Sequence, residues 1–409
     1  MSLKKNFSWV LIGNITYAAC QWGTLIVLTK FGTPELVGQF ALGLAIATPI
    51  YSFTNLQLRG IQATDSLNEY LFSEYFGFRI IMTTIGFTSI VSVALFSKYQ
   101  KTTVLIIILL GLVKAIESFS DVIFGLIQKH EQMEKISISL IFKGVFSLIF
   151  FSISLFYFKN LFVSILLILF VWLLIFLIFD IRNAKLLLLN TAKAGSISPH
   201  FKKERIKNLF FLALPLGVVI LFNALNINIP RYFITEYFNE EMLGYFAAIA
   251  YLLVVGSTIV NAIGQSATPR LAQYYQSNRH LYTSLFAKML SIAIIIGSLG
   301  IFAAWEIGDI VLSILYTEAY AKYKDVFLWI MVSAFFLYCS GISGSAITAA
   351  RSFKPQVLFG VISTSAILMA SYILIPIQGI VGAAMAMTIA FSIKVTLEII
   401  QVIILVNKV

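Results

Sequence analysis

Residues 29–41 read TKFGTPELVGQFA, and residues 235–247 read TEYFNEEMLGYFA. The two stretches align without a gap at a spacing of 206 residues. Thr29/Thr235, Glu35/Glu241, Gly38/Gly244, Phe40/Phe246 and Ala41/Ala247 are identical, and Phe31/Tyr237, Leu36/Met242 and Val37/Leu243 are conservative. A second block follows two residues out of register and pairs Gly60, Ala63, Thr64, Leu67 and Tyr70 with Gly264, Ala267, Thr268, Leu271 and Tyr274. Two matches in the same order point to a tandem duplication. Both flank long apolar runs, so the duplicated unit is a bundle of membrane helices, an organisation common among transporters.

Composition fixes the solvent. Of the 409 residues, 59% are hydrophobic and only 11% charged, and mean hydropathy is +0.93. Apolar runs near the ~20 residues needed to cross a ~30 Å hydrocarbon core recur along the chain. Twelve spans are expected, at 7–29, 36–58, 76–97, 102–127, 136–158, 161–180, 209–234, 242–264, 284–304, 326–350, 355–376 and 379–406. The first carries Asn14 and Gln21 and lacks a small-residue cleavage pattern, so it reads as a retained helix. The expected fold is all-α, with two parallel, pseudo-symmetric six-helix lobes around a central cavity. Residues 1–180 form the N-terminal lobe, 181–208 a basic cytoplasmic linker and 209–409 the C-terminal lobe.

Charge sets the orientation. With a cytoplasmic N-terminus, 19 of the 29 Lys and Arg fall in cytoplasmic segments and 7 in external ones, while Lys114, Lys143 and Lys394 lie within spans. That asymmetry places both termini inside. The largest cluster, Arg182, Lys185, Lys193, Lys202, Lys203, Arg205 and Lys207, occupies the expected linker. The net charge of +11 therefore belongs to the inner membrane surface and its lipids rather than to a nucleic-acid partner.

The pattern offers little to an enzyme. His130, His200 and His280 fall in cytoplasmic loops, Cys20 and Cys339 lie in separate spans without metal-ligand spacing, and no phosphate-cradling loop is present. No cofactor is expected, and the energy for transport must come from a gradient. The longest external segment, about 305–325, is too short for a polymerase or ligase active site.

Ionisable residues inside the spans are costly, at least ~2.5 kcal/mol each at the bilayer centre unless water or a partner meets them. Lys114, Glu117 and Asp121 stand at i, i+3 and i+7, one face of the fourth span. They read either as a neutralised structural pair or as a cavity stripe, in which Lys114 meets an anionic substrate and Asp121, with Glu117, carries a coupling cation (H+ or Na+). Lys143 in the fifth span has no carboxylate on its own helix and needs one from another helix or a cavity. Lys394 and Glu398, at i and i+4, suffice for a local salt bridge. Arg59 and Arg79 lie near the cytoplasmic ends of spans two and three, within snorkelling reach of headgroups. The seventh span gathers Asn223, Asn226, Asn228, Pro230 and Arg231, which reads as a broken, cavity-facing helix. Lys143 and Arg231 are expected to point into the central cavity, and their loss to lower export at unchanged abundance.

The segment Leu56 to Asp65, LQLRGIQATD, followed by Glu69, Tyr70 and Arg79, resembles the Wzx-type O-antigen and capsule flippases of the polysaccharide transporter family. So do the Leu36–Ala41 turn, the stretch from Ile314 to Ala321, and Gly379 to Ala384. The resemblance covers the whole chain through the order of loose motifs. It implies the fold of the multidrug and oligosaccharidyl-lipid exporter superfamily in the bacterial inner membrane. It also implies a lipid-linked oligosaccharide on undecaprenyl diphosphate as substrate, moved from the inner to the outer leaflet, with polysaccharide polymerase machinery as a partner. Such a substrate carries phosphate charge, which makes Arg59, Arg79, Lys114, Lys143, Arg231 and Asn226 the candidate binding residues. The competing readings are a multidrug exporter of the same superfamily and a membrane glycan polymerase or ligase. The basic, glycine-flanked signature of major facilitator transporters is absent between Arg59 and Glu74.

Overall fold

A computed structural model describes residues 3–65, 68–189 and 196–407. Leu67 of the second repeat block and Lys193 of the basic cluster lie outside the described residues. The described chain is helical almost throughout. The elements are α1 (Leu3–Phe31), α2 (Pro34–Asn55), α3 (Leu58–Thr64), α4 (Phe72–Phe96), α5 (Lys101–Lys129), α6 (Met133–Phe158), α7 (Leu161–Ile175), α8 (Ile181–Leu189), α9 (Lys203–Tyr237), α10 (Glu240–Ser277), α11 (Arg279–Leu315), α12 (Glu318–Ala321), α13 (Lys324–Ala349) and α14 (Phe353–Asn407). A π-helical turn, Phe176–Asp180, joins α7 to α8.

Among the described residues, eleven helical stretches are long and apolar enough to cross a membrane. The last, Lys354–Asn407, has 54 residues, about twice what a crossing needs at ~1.5 Å per residue. It breaks at Gly379, whose φ of 62° lies in the left-handed region that glycine tolerates. Counted as two, it brings the crossings among the described residues to twelve. This is an all-α, multi-pass membrane protein.

The duplicated sequence is duplicated in structure. Thr33 caps α2, its side chain accepting the Leu36 N–H, and Asn239 caps α10 by accepting the Met242 N–H. Each is the preferred kind of N-cap residue. At the same spacing, the Gly32 N–H donates to the Leu28 carbonyl and the Phe238 N–H to that of Ile234, and Val37 and Leu243 donate to the carbonyls of their caps. Leu28, Val37, Ile234 and Leu243 are all fully buried.

The chain divides into two compact units, Met1–Leu221 and Phe222–Val409. The division falls within α9 and not in the segment 181–208. The reason is that this segment is not a free tether. Beyond the π turn, α8 buries Ala184 and Leu187 against Phe72, Ile123 and Ile127. The start of α9 sets Leu209 and Ala213 into a cluster with Leu58, Tyr75 and Phe78. Between them the His200 N–H donates to the Ser73 carbonyl, an approach so close that a Cβ on Gly77 would meet the His200 oxygen at 2.5 Å. Arg205 adds a 3.4 Å ion pair with Glu74 and lies over the Tyr70 ring.

Three expectations about the helices change. The seventh span is not broken: α9 runs unbroken through Pro230, since one missing N–H donor can be absorbed within a long helix. One break falls at Gly379, where two spans were expected to meet, and another at Ile307 of α11. The stretch 305–325, expected to be an external segment, is helical to Leu315 and resumes in α12. The second span passes a turn at Leu56 and Gln57, both at positive φ, before α3 begins.

Candidate functional site

In the first unit, α1, α2, α3, α5, α6 and α7 enclose a cavity of about 570 Å³. The left-handed pair Leu56 and Gln57 turns the chain so that Asn55 ends α2 and Arg59 opens from α3 into the same space. Non-glycine residues seldom adopt that conformation, and here it places a cation. Asn14, Tyr17, Glu117, Asp121, Phe124 and Trp172 also face the cavity.

Each cation has its own arrangement. Arg79 is 1% exposed and does not snorkel; it donates to Asp121 Oδ2 at 2.9 Å and to Asn55 Oδ1. A guanidinium about two turns into α4 finds a carboxylate nearer than any headgroup. Lys114 donates to Glu117 at 2.6 Å, so its partner is the acid one turn on and not Asp121. Arg59 lies 3.9 Å from Asp121 Oδ1, donates to Gln128 at 2.9 Å, stacks over Phe124 and keeps 35% of its side chain exposed.

Lys143 forms part of the wall yet exposes none of its surface. Its missing partner is Asp180, 2.6 Å away. The π turn swings Asp180 inward, where it also accepts from Ser120 at 2.8 Å and Ser139 at 2.6 Å. The lysine ammonium donates to Ser120 as well and lies against the Phe124 and Trp172 rings. Asp180 is the residue that reasoning from sequence overlooked. It is the one charged residue in 161–180, and that isolation in an apolar run was the available signal.

The second unit holds a cavity of about 430 Å³, lined by Asn223, Asn226, Asn261, Tyr338, Lys394 and Glu398 among others. By the repeat spacing, Tyr17 and Asn55 of the first cavity correspond to Asn223 and Asn261 of the second. Asn226 is fixed on both sides of its amide, donating to Ser363 at 2.8 Å and accepting from Thr364 at 2.9 Å. Lys394 donates to Asn223 at 2.9 Å and stays 4.0 Å from Glu398, a looser pair than i, i+4 spacing suggested. Arg231 does not line this cavity. Its Nε has no hydrogen-bond partner, and no carboxylate of the described residues lies within 4.0 Å of it.

Residues 3–275 match the polysaccharide biosynthesis protein family. The chain belongs to that family. It is 30% identical over 392 residues to the capsular polysaccharide biosynthesis protein CapF of Staphylococcus aureus, covering 94% of this chain and 96% of the relative. The fold is similar to the lipid II flippase MurJ in an inward closed conformation, with a TM-score of 0.74 at 11% identity over 96% of this chain and 87% of MurJ. It is also similar to an inward-facing multidrug transporter of the MATE family, with a TM-score of 0.65 at 12% identity over 100% and 95% of the two chains. The family is thus that of polysaccharide biosynthesis proteins, and the fold is the one shared by the lipid II flippase and multidrug-transporter structures.

Proposed function

We propose that the protein flips undecaprenyl-diphosphate-linked oligosaccharide units from the inner to the outer leaflet of the bacterial inner membrane by alternating access. In this reading the six-helix lobes are 1–180 and 209–409, the basic segment 181–208 lies on the cytoplasmic side, and both termini are cytoplasmic.

The observation that carries the reading is the cluster of charges in and behind the wall of the first-unit cavity, whose lining holds Arg59, Lys143, Glu117 and Asp121. Arg59, Arg79, Lys114 and Lys143 face Glu117, Asp121 and Asp180, four cations to three carboxylates. Lys143 and Arg79 are sealed against their acids, and Lys114 holds Glu117. Arg59 is the surplus, half-open to the cavity and sharing an acid that Arg79 already occupies. A diphosphate is the natural ligand for an exposed, planar guanidinium. Arg231 offers a second unneutralised cation in the other unit. A multidrug exporter, the competing reading, takes organic cations, which a positive surplus repels.

Coupling to H+ or Na+ fits a carboxylate that changes partners between states, since a ligand shifts an equilibrium only through differential affinity. Asp121 supports that role, with the exchange running between the cation and the Arg59–Arg79 pair.

The test is reconstitution. Vesicles holding the purified chain and fluorescent undecaprenyl-diphosphate oligosaccharide should transfer the lipid between leaflets, faster with an imposed gradient, while organic dyes stay put. Dye export without lipid transfer would establish the multidrug reading instead.

A further inference from the structure

The first-unit cavity holds more than its charges. Its volume of about 570 Å³ lies in the range of small-ligand sites, and a diphosphate at Arg59 would leave part of it unfilled. Besides the cations and acids, its lining includes Asn14 and Tyr17 of α1, Ser52 of α2 and the turn residue Gln57. Asn14 and Gln57 are exposed, and Tyr17 and Ser52 are half-buried. Asn14 and Tyr17 stand at i and i+3, neighbours on one face of their helix.

A chain of ring contacts runs from Arg59 to that face. The Phe124 ring carries the Arg59 guanidinium at 5.6 Å and the Lys143 ammonium at 5.2 Å. The same ammonium lies 5.1 Å from the Trp172 ring, whose centroid is 6.2 Å from that of Tyr17 with the planes at 63°. Trp172 is fixed in turn, its indole N–H donating to Ser147 at 3.1 Å. The Tyr17 ring therefore rests on a rigid neighbour. Its repeat partner, Asn223, lines the cavity of the second unit. A position that lines a cavity in each unit, yet is a ring in one and an amide in the other, has its place set by the fold and its chemistry left open to a ligand.

The chemistry chooses among ligands. The α1 side brings no unpaired cation, because Lys143 is sealed against Asp180, so it offers little to a further phosphate. A prenyl tail would strip water from the Asn14, Ser52 and Gln57 side chains without replacing their hydrogen bonds. A sugar answers both features: the C–H face of its ring lies on an aromatic side chain, and its hydroxyls pair with amides, which donate and accept.

We propose that Asn14 and Tyr17 form the sugar-recognising side of this cavity, the glycan unit beside the diphosphate laying a ring face on Tyr17 while the Asn14 amide bonds its hydroxyls. The assignment rests on the flippase reading and keeps diphosphate and first sugar within one cavity of one unit.

The test compares two lipids on the full-length chain in detergent. One is undecaprenyl diphosphate without sugar, and the other is the lipid-linked oligosaccharide extracted from a strain deleted for this gene. The wild type should bind the glycan-bearing lipid about tenfold or more tightly than the bare one. Tyr17→Ala should erase that preference by weakening only the glycan-bearing lipid, and Tyr17→Phe, which keeps the ring, should retain it. Asn14→Ala, at an exposed position where the fold is not at stake, should narrow the preference in the same way. Equal wild-type affinity for the two lipids overturns the sugar side and leaves the flippase reading standing; binding of neither overturns both. A preference that survives both alanine variants, or equal weakening of the two lipids in both, also overturns the sugar side.

Discussion

Asp121 gives one carboxylate oxygen to Arg79 at 2.9 Å and turns the other toward Arg59 at 3.9 Å. One acid thus serves a buried and an exposed cation at once. Asp121→Asn should cost about 3–5 kcal/mol of stability by leaving Arg79 buried and uncompensated, and adding Arg79→Gln should recover most of it. In vesicles, flipping by the double variant should no longer respond to an imposed proton or sodium gradient. An unchanged response would reduce Asp121 to a structural ion-pair partner.

Lys143→Ala should first lower abundance, not export per molecule. The change strands Asp180 in a site where neither partner is more than 1% exposed, a loss of about 3–5 kcal/mol. Replacing both, as Lys143→Met with Asp180→Leu, should restore the thermal unfolding midpoint to near wild type. A lone Lys143→Ala protein of normal abundance and midpoint would contradict this account.

Arg59→Ala should behave in the opposite way. Its ion pair is long and partly solvated, so less than about 1 kcal/mol of stability should go with it. Undecaprenyl diphosphate affinity should fall about tenfold or more, and Arg59→Lys should restore only part of it because a point charge replaces a fork. Equilibrium binding beside a melting curve separates the two effects.

The loop between α3 and α4 should respond to acid. Burial pushes the Asp65 carboxyl up, but the Glu69 and Tyr70 N–H groups, Lys129 and the Tyr75 hydroxyl outweigh it and hold the group below the usual aspartate range. A depressed native value contributes stability above the unfolded value of ~3.9, lost as pH falls through the native one. Hydrogen exchange at the Glu69 and Tyr70 amides should therefore stay slow at neutral pH and lose its protection in strong acid. In Asp65→Asn, protection should be weaker at neutral pH and free of that transition.

Much of the architecture was legible because apolar length and repetition are properties of sequence alone. The turn at Thr33 and its copy at Asn239 could be aligned by eye, and both proved to be helix caps. The partners of the buried charges were not legible. Lys114 lies nearly in line with Asp121 on an ideal helix, yet Arg79, 42 residues earlier, takes that acid. Asp180 stood at the end of its span and needed a π turn, which periodicity does not signal, to reach Lys143. Pro230 carried a breaker's signature without breaking its helix, whereas the break at Gly379 falls where the sequence had already separated spans 355–376 and 379–406.

The Lys143–Asp180 pair also constrains how the chain is made. The lysine leaves the ribosome 37 residues before its counter-ion, and an unpaired lysine in hydrocarbon costs at least ~2.5 kcal/mol. The fifth span is thus a poor substrate for release into lipid by itself, and it gains a neutral buried face only when the sixth arrives beside it. Biogenesis of this half of the protein is accordingly expected to proceed by paired helices, with the insertion machinery holding one hairpin until its charges have met.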